Sequence, residues 1–534
     1  MSRLVFDNQP AAPQFNTVRT DIACFVGLVR VLPGAALSAS VSAWLNYLHY
    51  SATQITQITN VPVPLDSWGA FTALFDDGSS GLAHGTDYVA ATVRSFFAQG
   101  GRRCYVVRVA DPVTPKDQAA DKAAKLTALL PGGGYAPDSQ TWTGVENLAV
   151  LEDASILVVP DLPVLCASQP VQAAGQAPAA PTGPEEFVEC TQGDIVPQPF
   201  QTVPAPAPRL AFGDYITWAN NVATILLFLA NGPQSNQLNL REIQFVAAFP
   251  LPQDMDPATA AENPSSTEIA QDIHDVISNQ MPEIADDVHG FDATKQHCNI
   301  SSAFLQLAYP WLKTSGSGFL LELLEPPDGA LAGLIARNAL TRGTFTSATK
   351  ITPAEIYDIF PALPAQETQT SAAPLAWGPN SPQKALIERL SLFGFTPSGL
   401  ALLSDVTAYP GETYRSAPVN RLVEVISRSA RRMGESAVFQ SNGPALWGRV
   451  QRFLQNLMTR LWSLNALDGA TVKDAFSVRC DRSTMTQNDL DNGRCLALVT
   501  FVAASTIETI TVKLAVETSG TSAQEITAGL AEAS

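Results

Sequence analysis

The sequence predicts an α/β protein of several domains, built on mixed (α+β) sheets. Three observations carry that reading. The chain is 534 residues long and 46% hydrophobic, enough for two to four domains with ample cores. The segment Tyr88–Asp111 (YVAATVRSFFAQGGRRCYVVRVAD) is a sharp αβ corner. Val89, Val93, Phe96 and Phe97 recur at helical spacing, Gly100-Gly101 stops the helix, and Cys104–Val109 follows as a continuous β-rich run. Strands of the same buried type recur at Asp21–Val31, Ile156–Val159 and Ile243–Phe249, between helical stretches.

The other elements follow in order. Residues 1–20 are polar and Pro-interrupted, and read as an extended arm. Pro62–Asp77 gives an extended piece and then a short helix, capped by Asp66 or Ser67, with Trp68, Phe71, Leu74 and Phe75 on its buried face. Residues 111–145 are helical and then Gly-rich, and a helix-like segment begins at Asn147. Residues 163–235 open on Pro/Ala-rich runs and read as a surface insertion, with helical pattern resuming at Ala211–Asn231. Residues 250–300 are polar and acidic, with a helix expected at Ser266–Asn279. Ala303–Trp311 is a strand, Ala330–Leu340 a small-residue helix, and 361–380 a second Pro-rich loop.

The last stretch is the most regular. Ala417–Met433 and Pro444–Asn465 are helices, and Phe476–Cys480 and Gly493–Ala503 are strands. In the final strand Ile510, Val512, Leu514 and Val516 alternate with Thr511, Lys513 and Ala515, the pattern of a half-buried strand. Such a terminal strand either finishes a sheet or leaves to join another.

Only 15% of residues are charged, and the net charge is −18. A basic face for phosphates is therefore not expected, which argues against a nucleic-acid partner. The first residues lack a basic flank before an apolar core, and Val222–Ala230 is too short to span a bilayer, so no leader and no direct membrane insertion are expected. The seven cysteines are scattered and odd in number, the plain pattern of reduced thiols in a cytoplasmic protein.

Chemistry-bearing motifs are sparse. His289, Asp292, His297 and Cys298 lie within ten residues, but their spacing fits no zinc pattern and a solvated loop is the better reading. Asp76-Asp77 and Asp286-Asp287 are read as solvated turns rather than acid–base pairs. The run Pro131–Gly134 lacks the Lys-Ser/Thr of a phosphate loop. No catalytic residue, cofactor or metal is expected. One electrostatic feature departs from the acidic background: Arg415, Arg421, Arg428, Arg431, Arg432, Arg449, Arg452 and Arg460 face only Glu424 and Glu435. At about 100° per residue Arg449, Arg452 and Arg460 fall on one stripe. Leu446, Val450, Phe453, Leu454, Leu457 and Leu461 form the neighbouring, inward-packing stripe.

Blocks from end to end share wording with one family. They are TDIACFVGLV (Thr20–Val29), VPLDSWGAFTALFDD (Val63–Asp77), GGRRCYVVRV after an aromatic-ended helix, LEDASILVVPD (Leu151–Asp161), LQLAYPWLK (Leu305–Lys313) and PPDGALAGLIARNALTRGTFTSA (Pro326–Ala348). The C-terminal blocks Val419–Arg432, Ala445–Asp481 and Asn492–Val516 complete the series. In this the chain resembles the sheath subunits of contractile phage tails and extracellular contractile injection systems. Leu400–Gly411 departs from the WGARTL-like strand common there, and residues 163–240 have no counterpart.

The resemblance implies a structural, non-enzymatic subunit with no cofactor. Its partners would be further copies of itself in a helical stack of hexameric rings, an inner tube protein, and baseplate and cap proteins at the ends. The implied domains are an N-terminal arm (1–20), an outer α/β region (21–405), an inner C-terminal domain (406–505) and a C-terminal arm (506–534). It also implies that Arg449, Arg452, Arg460, Arg428 and Arg432 meet the tube, and that Ile510, Val512, Leu514 and Val516 pair with a neighbouring subunit. The particle would be assembled in the cytoplasm. The alternative from the residues alone is a soluble α/β enzyme with a ligand crevice at its sheet.

Overall fold

The computed structural model describes residues 19–504 and the strand 509–516, apart from 79–84, 133–137, 172–205, 232–241, 254–272, 274–299, 369–374, 377–381, 384, 410 and 438–439. The chain divides into two compact units: Asp21–Asn420, and Arg421–Ser534 together with Met1–Thr20.

The larger unit is organised by an eight-stranded sheet. Its strands are β1 (Ala23–Leu28), β2 (Pro62–Leu65), β3 (Cys104–Ala110), β4 (Ile156–Val158), β5 (Gln244–Ala248), β6 (Leu305–Tyr309), β7 (Ser391–Thr396) and β8 (Gly399–Leu402). The order across the sheet is β8-β7-β6-β5-β4-β1-β3-β2. The six strands from β7 to β3 run parallel, and β8 and β2 are antiparallel edges. β1 is buried along its whole length because both faces of the sheet are covered. That explains why the strands read as unbroken apolar runs instead of alternating ones.

Alternate residues feed two cores. Cys24, Val26, Leu28, Val107 and Leu157 point into one; Ala23, Phe25, Val106, Ile156 and Val158 point into the other. Helices α1 (Ala39–Tyr47), α2 (Ala52–Gln57) and α3 (Trp68–Thr72) precede the αβ corner, with Ser67 capping α3 by accepting from Ala70 N at 3.2 Å. Helix α4 (Tyr88–Ala98) buries Val89, Val93 and Phe96, and the Phe96 ring meets Phe25 edge-on at 5.5 Å. Such a pair adds about 0.5–1.5 kcal/mol beyond its area. Gly100 then adopts φ +104, a conformation open to glycine, which turns the chain into β3.

Helices α5 (Ala119–Leu129) and α6 (Leu162–Cys166) follow, and then α7 (Phe212–Asn231). α7 corrects the expectation of a peripheral insertion over 163–235. Trp218, Val222 and Ile225 are fully buried in the first core, Trp218 packs edge-on against Phe249 at 5.5 Å, and Tyr215 donates its hydroxyl to Pro250 O at 2.9 Å. The Pro/Ala-rich run 172–205 lies outside the described residues, as does nearly all of the helix expected at Ser266–Asn279. Helix α8 (Asp328–Thr341) packs beside α4. Helix α9 (Ala417–Ala437) begins in this unit.

The smaller unit comprises the rest of α9, helix α10 (Pro444–Ser463) and a three-stranded antiparallel sheet. The strands are β9 (Phe476–Arg479), β10 (Cys495–Val502) and β11 (Thr509–Val516), in that order. Pro444 stands at the first turn of α10, where its missing N–H costs nothing. Leu446, Val450, Leu454, Met458 and Leu461 make its buried stripe against β9 and β10. In β10 Cys495, Ala497, Val499 and Phe501 are buried and the residues between them are not, a half-covered sheet. Among the described residues no helix is long and apolar enough to cross a membrane.

Candidate interaction surface

The exposed side of α10 carries the basic stripe. Arg449, Arg452 and Arg460 are all exposed, opposite the buried leucines. Arg449 Nη1 donates to Gln440 Oε1 at 2.6 Å, which orients it without neutralising it. Arg460 sits in the last turn of the helix, where the dipole favours a cation. Phe453, expected on the inward stripe, is 36% exposed and borders the arginines instead. Leu457 is half-buried. The inward stripe is therefore narrower than the sequence pattern, and the outer face is basic with an aromatic edge.

Two other arginines that the resemblance sets against the tube are placed differently. Arg428 is 1% exposed and donates Nη1 to the Arg19 carbonyl at 3.0 Å. Its charge is used inside the small unit, and it leaves the set of candidate contact residues. Arg432 is half-buried and engaged by neighbours within the chain. Arg431, between these two, pairs with Glu435 one turn on at 3.0 Å. The basic character of α9 is thus largely internal, and that of α10 is presented.

The terminal strand β11 pairs with β10 of its own chain. The register sets Ile510 opposite Phe501, Val512 opposite Val499, Leu514 opposite Ala497 and Val516 opposite Cys495. The four alternating residues named from sequence therefore match the four buried positions of β10. The link 505–508 between the strands lies outside the described residues.

A parallel sheet of this order has a switch point between β1 and β4, where α/β enzymes bind ligands beyond the strand ends. Here Asp161, just after β4, fills that position. Its Oδ2 accepts from Leu28 N at 2.6 Å, and a methyl group on Gly27 would collide with the same carboxylate and with Val89 Cγ2. Burial pushes the Asp161 carboxyl well above its ordinary range, and Asp328 and Asp87 add to this. Asp328, at the start of α8, is raised to about 7 by burial, and Glu325 to about 8 by burial, which outweighs the lowering effect of the hydrogen bonds it accepts from Ser95 and Thr314. Nothing in the sequence pattern singled out these carboxyls, because the elements bearing them meet only in the folded sheet.

The minor motifs resolve simply. Asp76 is buried, not solvated; it accepts from Gly78 N at 3.1 Å and pairs with Arg30 at 3.4 Å. Gly132 N donates to Glu146 Oε1 at 3.0 Å, so the start of the glycine run is tied to a carboxylate fourteen residues on. The His289–Cys298 group and Asp286-Asp287 lie outside the described residues. Cys24, Cys104, Cys166, Cys480 and Cys495 are free and buried.

No protein-family model matches the chain, and no curated protein matches it. Solved structures do. A chain in the anti-feeding prophage baseplate matches at 16% identity, over 94% of this chain and 95% of that one, with a TM-score of 0.52. The same particle's helical sheath in the contracted state matches at 16% identity over 92% and 91%, TM-score 0.51. Its contracted baseplate matches at 15% identity over 94% of each, TM-score 0.51. The likeness runs nearly end to end in both chains, so the whole chain, not one module of it, has the multi-domain fold of a contractile-particle sheath protein.

Proposed function

We propose that the chain is a structural sheath subunit. It polymerises as stacked hexameric rings around an inner tube and contracts to drive that tube through a target envelope. The observation that carries this reading is the end-to-end likeness to a chain of a contractile sheath. Its partners are further copies of itself, the tube protein, and baseplate and cap proteins. A heterologous contact that does not close on itself builds a helical filament of this kind. The small unit serves as the tube-facing domain, and β11, held on one side by β10 of its own chain, pairs through its other edge with a neighbouring subunit.

The exposed arginines of α10 suit a contact that must hold and then release. Each exposed ion pair contributes about 0.2–1 kcal/mol and is screened by salt. Repetition through every ring makes the sum large while each contact stays breakable. Asp161 in the switch-point crevice weighs against the enzyme alternative, since the usual ligand position is occupied by the chain's own carboxyl. Negative-stain microscopy of the purified chain, alone and with its tube partner, tests the proposal. Hollow rods of megadalton mass are expected; a monodisperse monomer or small oligomer in both preparations would overturn it.

A further inference from the structure

We propose that Cys480 and Cys495 form an oxidisable dithiol that a small-molecule disulfide converts to an intrachain disulfide, with Cys495 reacting first. The two sulfurs lie 3.7 Å apart, at the exit of β9 and the start of β10. A disulfide requires about 2.05 Å. Cys480 has already left the regular strand, so a modest shift of its side chain and of the chain after it closes the gap.

The two thiols are not equivalent. Cys495 lines a cavity of about 20 Å³ between α9, α10 and β10, together with Met433, Gly434 and Leu454. That is room for roughly one water-sized group beside the Cys495 sulfur, a space that Cys480 does not line. The two sulfurs are within hydrogen-bond reach of one another, and the contact with Cys480 holds Cys495 below its usual range against the opposing effect of burial. The same contact, together with burial, raises Cys480. Attack by thiolate is favoured at the sulfur that has space beside it and is more readily deprotonated. Cys24 and Cys104, by contrast, sit fully buried in the large sheet, and burial raises both.

The chemistry balances as two exchanges. The Cys495 thiolate attacks one sulfur of a disulfide RS–SR, forms the mixed disulfide and expels RS⁻. Cys480 then gives up its proton, and its thiolate attacks the Cys495 sulfur and expels the second RS⁻. Two electrons pass to the oxidant, and the two thiol protons end on two RSH. The link would close the loop 481–494 and tie the β9 exit to the strand that carries β11.

The test uses the full-length chain with oxidised glutathione, followed by acid quench, denaturing alkylation and peptide mapping. The expected product loses two hydrogens, links the peptides of Cys480 and Cys495, and reverts with a dithiol reductant. It should form about tenfold or more faster than any modification of Cys24 or Cys104. Cys480→Ser should trap glutathione on Cys495, while Cys495→Ser should leave Cys480 unmodified. If a variant misfolds, brief low-oxidant sampling of the wild-type chain shows which cysteine carries glutathione first. Both cysteines remaining alkylatable in the wild-type chain, or glutathione appearing first on Cys480, would overturn the proposal.

Discussion

Among the described residues, the large unit covers both faces of its sheet, whereas the small unit covers one face and leaves the other, with one side of α10, open. In the first, β1 is buried at all six positions and even the carboxyl groups of Asp161 and Asp328 are enclosed. In the second, β9 and β10 alternate buried with less buried residues, and the arginines of α10 stand in solvent. Desolvation therefore governs the large unit, and presented surface governs the small one. Substitutions in the two should fail differently: by unfolding in one, by loss of association in the other.

The largest effect on folding is expected from Trp218→Ala. Truncating a fully buried tryptophan costs about 3–5 kcal/mol. Thermal unfolding should show the loss directly. Replacing 172–205 by a short Gly/Ser linker, by contrast, should leave the melting point nearly unchanged. A neutral Trp218→Ala would place α7 outside the core.

Next in size is the effect of alkali on the large unit. Asp328 and Glu325 are raised in the folded chain to about 7 and about 8. The folded state thus holds protons that the unfolded state releases near pH 4. Their contribution is present below that range and is lost as pH rises through 7 and 8. Melting points measured between pH 5 and pH 9 should fall with pH, and the double variant Asp328→Asn, Glu325→Gln should flatten the curve. An equally steep curve in the variant would assign the dependence to other groups.

Deleting 506–534 should leave the large unit folded and the protein soluble but unable to polymerise, judged by sedimentation. Normal-looking rods from the truncated chain would exclude a coupling role for the last strand. The smallest effect on folding belongs to the triple change Arg449→Glu, Arg452→Glu, Arg460→Glu. Stability should shift by well under about 1 kcal/mol per site. Particles should nonetheless appear as empty, contracted-looking cylinders in micrographs. Tube-filled extended particles at normal yield would leave these arginines as a solvated face.

Periodicity and turn chemistry made much of this legible from sequence. The αβ corner at Gly100-Gly101, the Ser67 cap and the alternation in β11 follow local rules, and the structure places elements there. Local rules do not report partners distant in sequence. Arg428 counts as one of a local excess of arginines in the sequence, and its partner Arg19, 409 positions away, is invisible to such a count. α7 reads as a helix in the sequence, but its Pro/Ala-rich approach groups it with a surface insertion, and the burial of Trp218 shows only in the folded core. Asp161 and Leu28, 133 positions apart, meet only because β1 and β4 pair in the sheet.

Helical reconstruction of rods assembled from the full chain tests the division between the units most directly. The account predicts α10 lining the lumen, with Arg449, Arg452 and Arg460 turned to the tube. A reconstruction with α10 on the outer surface, away from the tube, would contradict it.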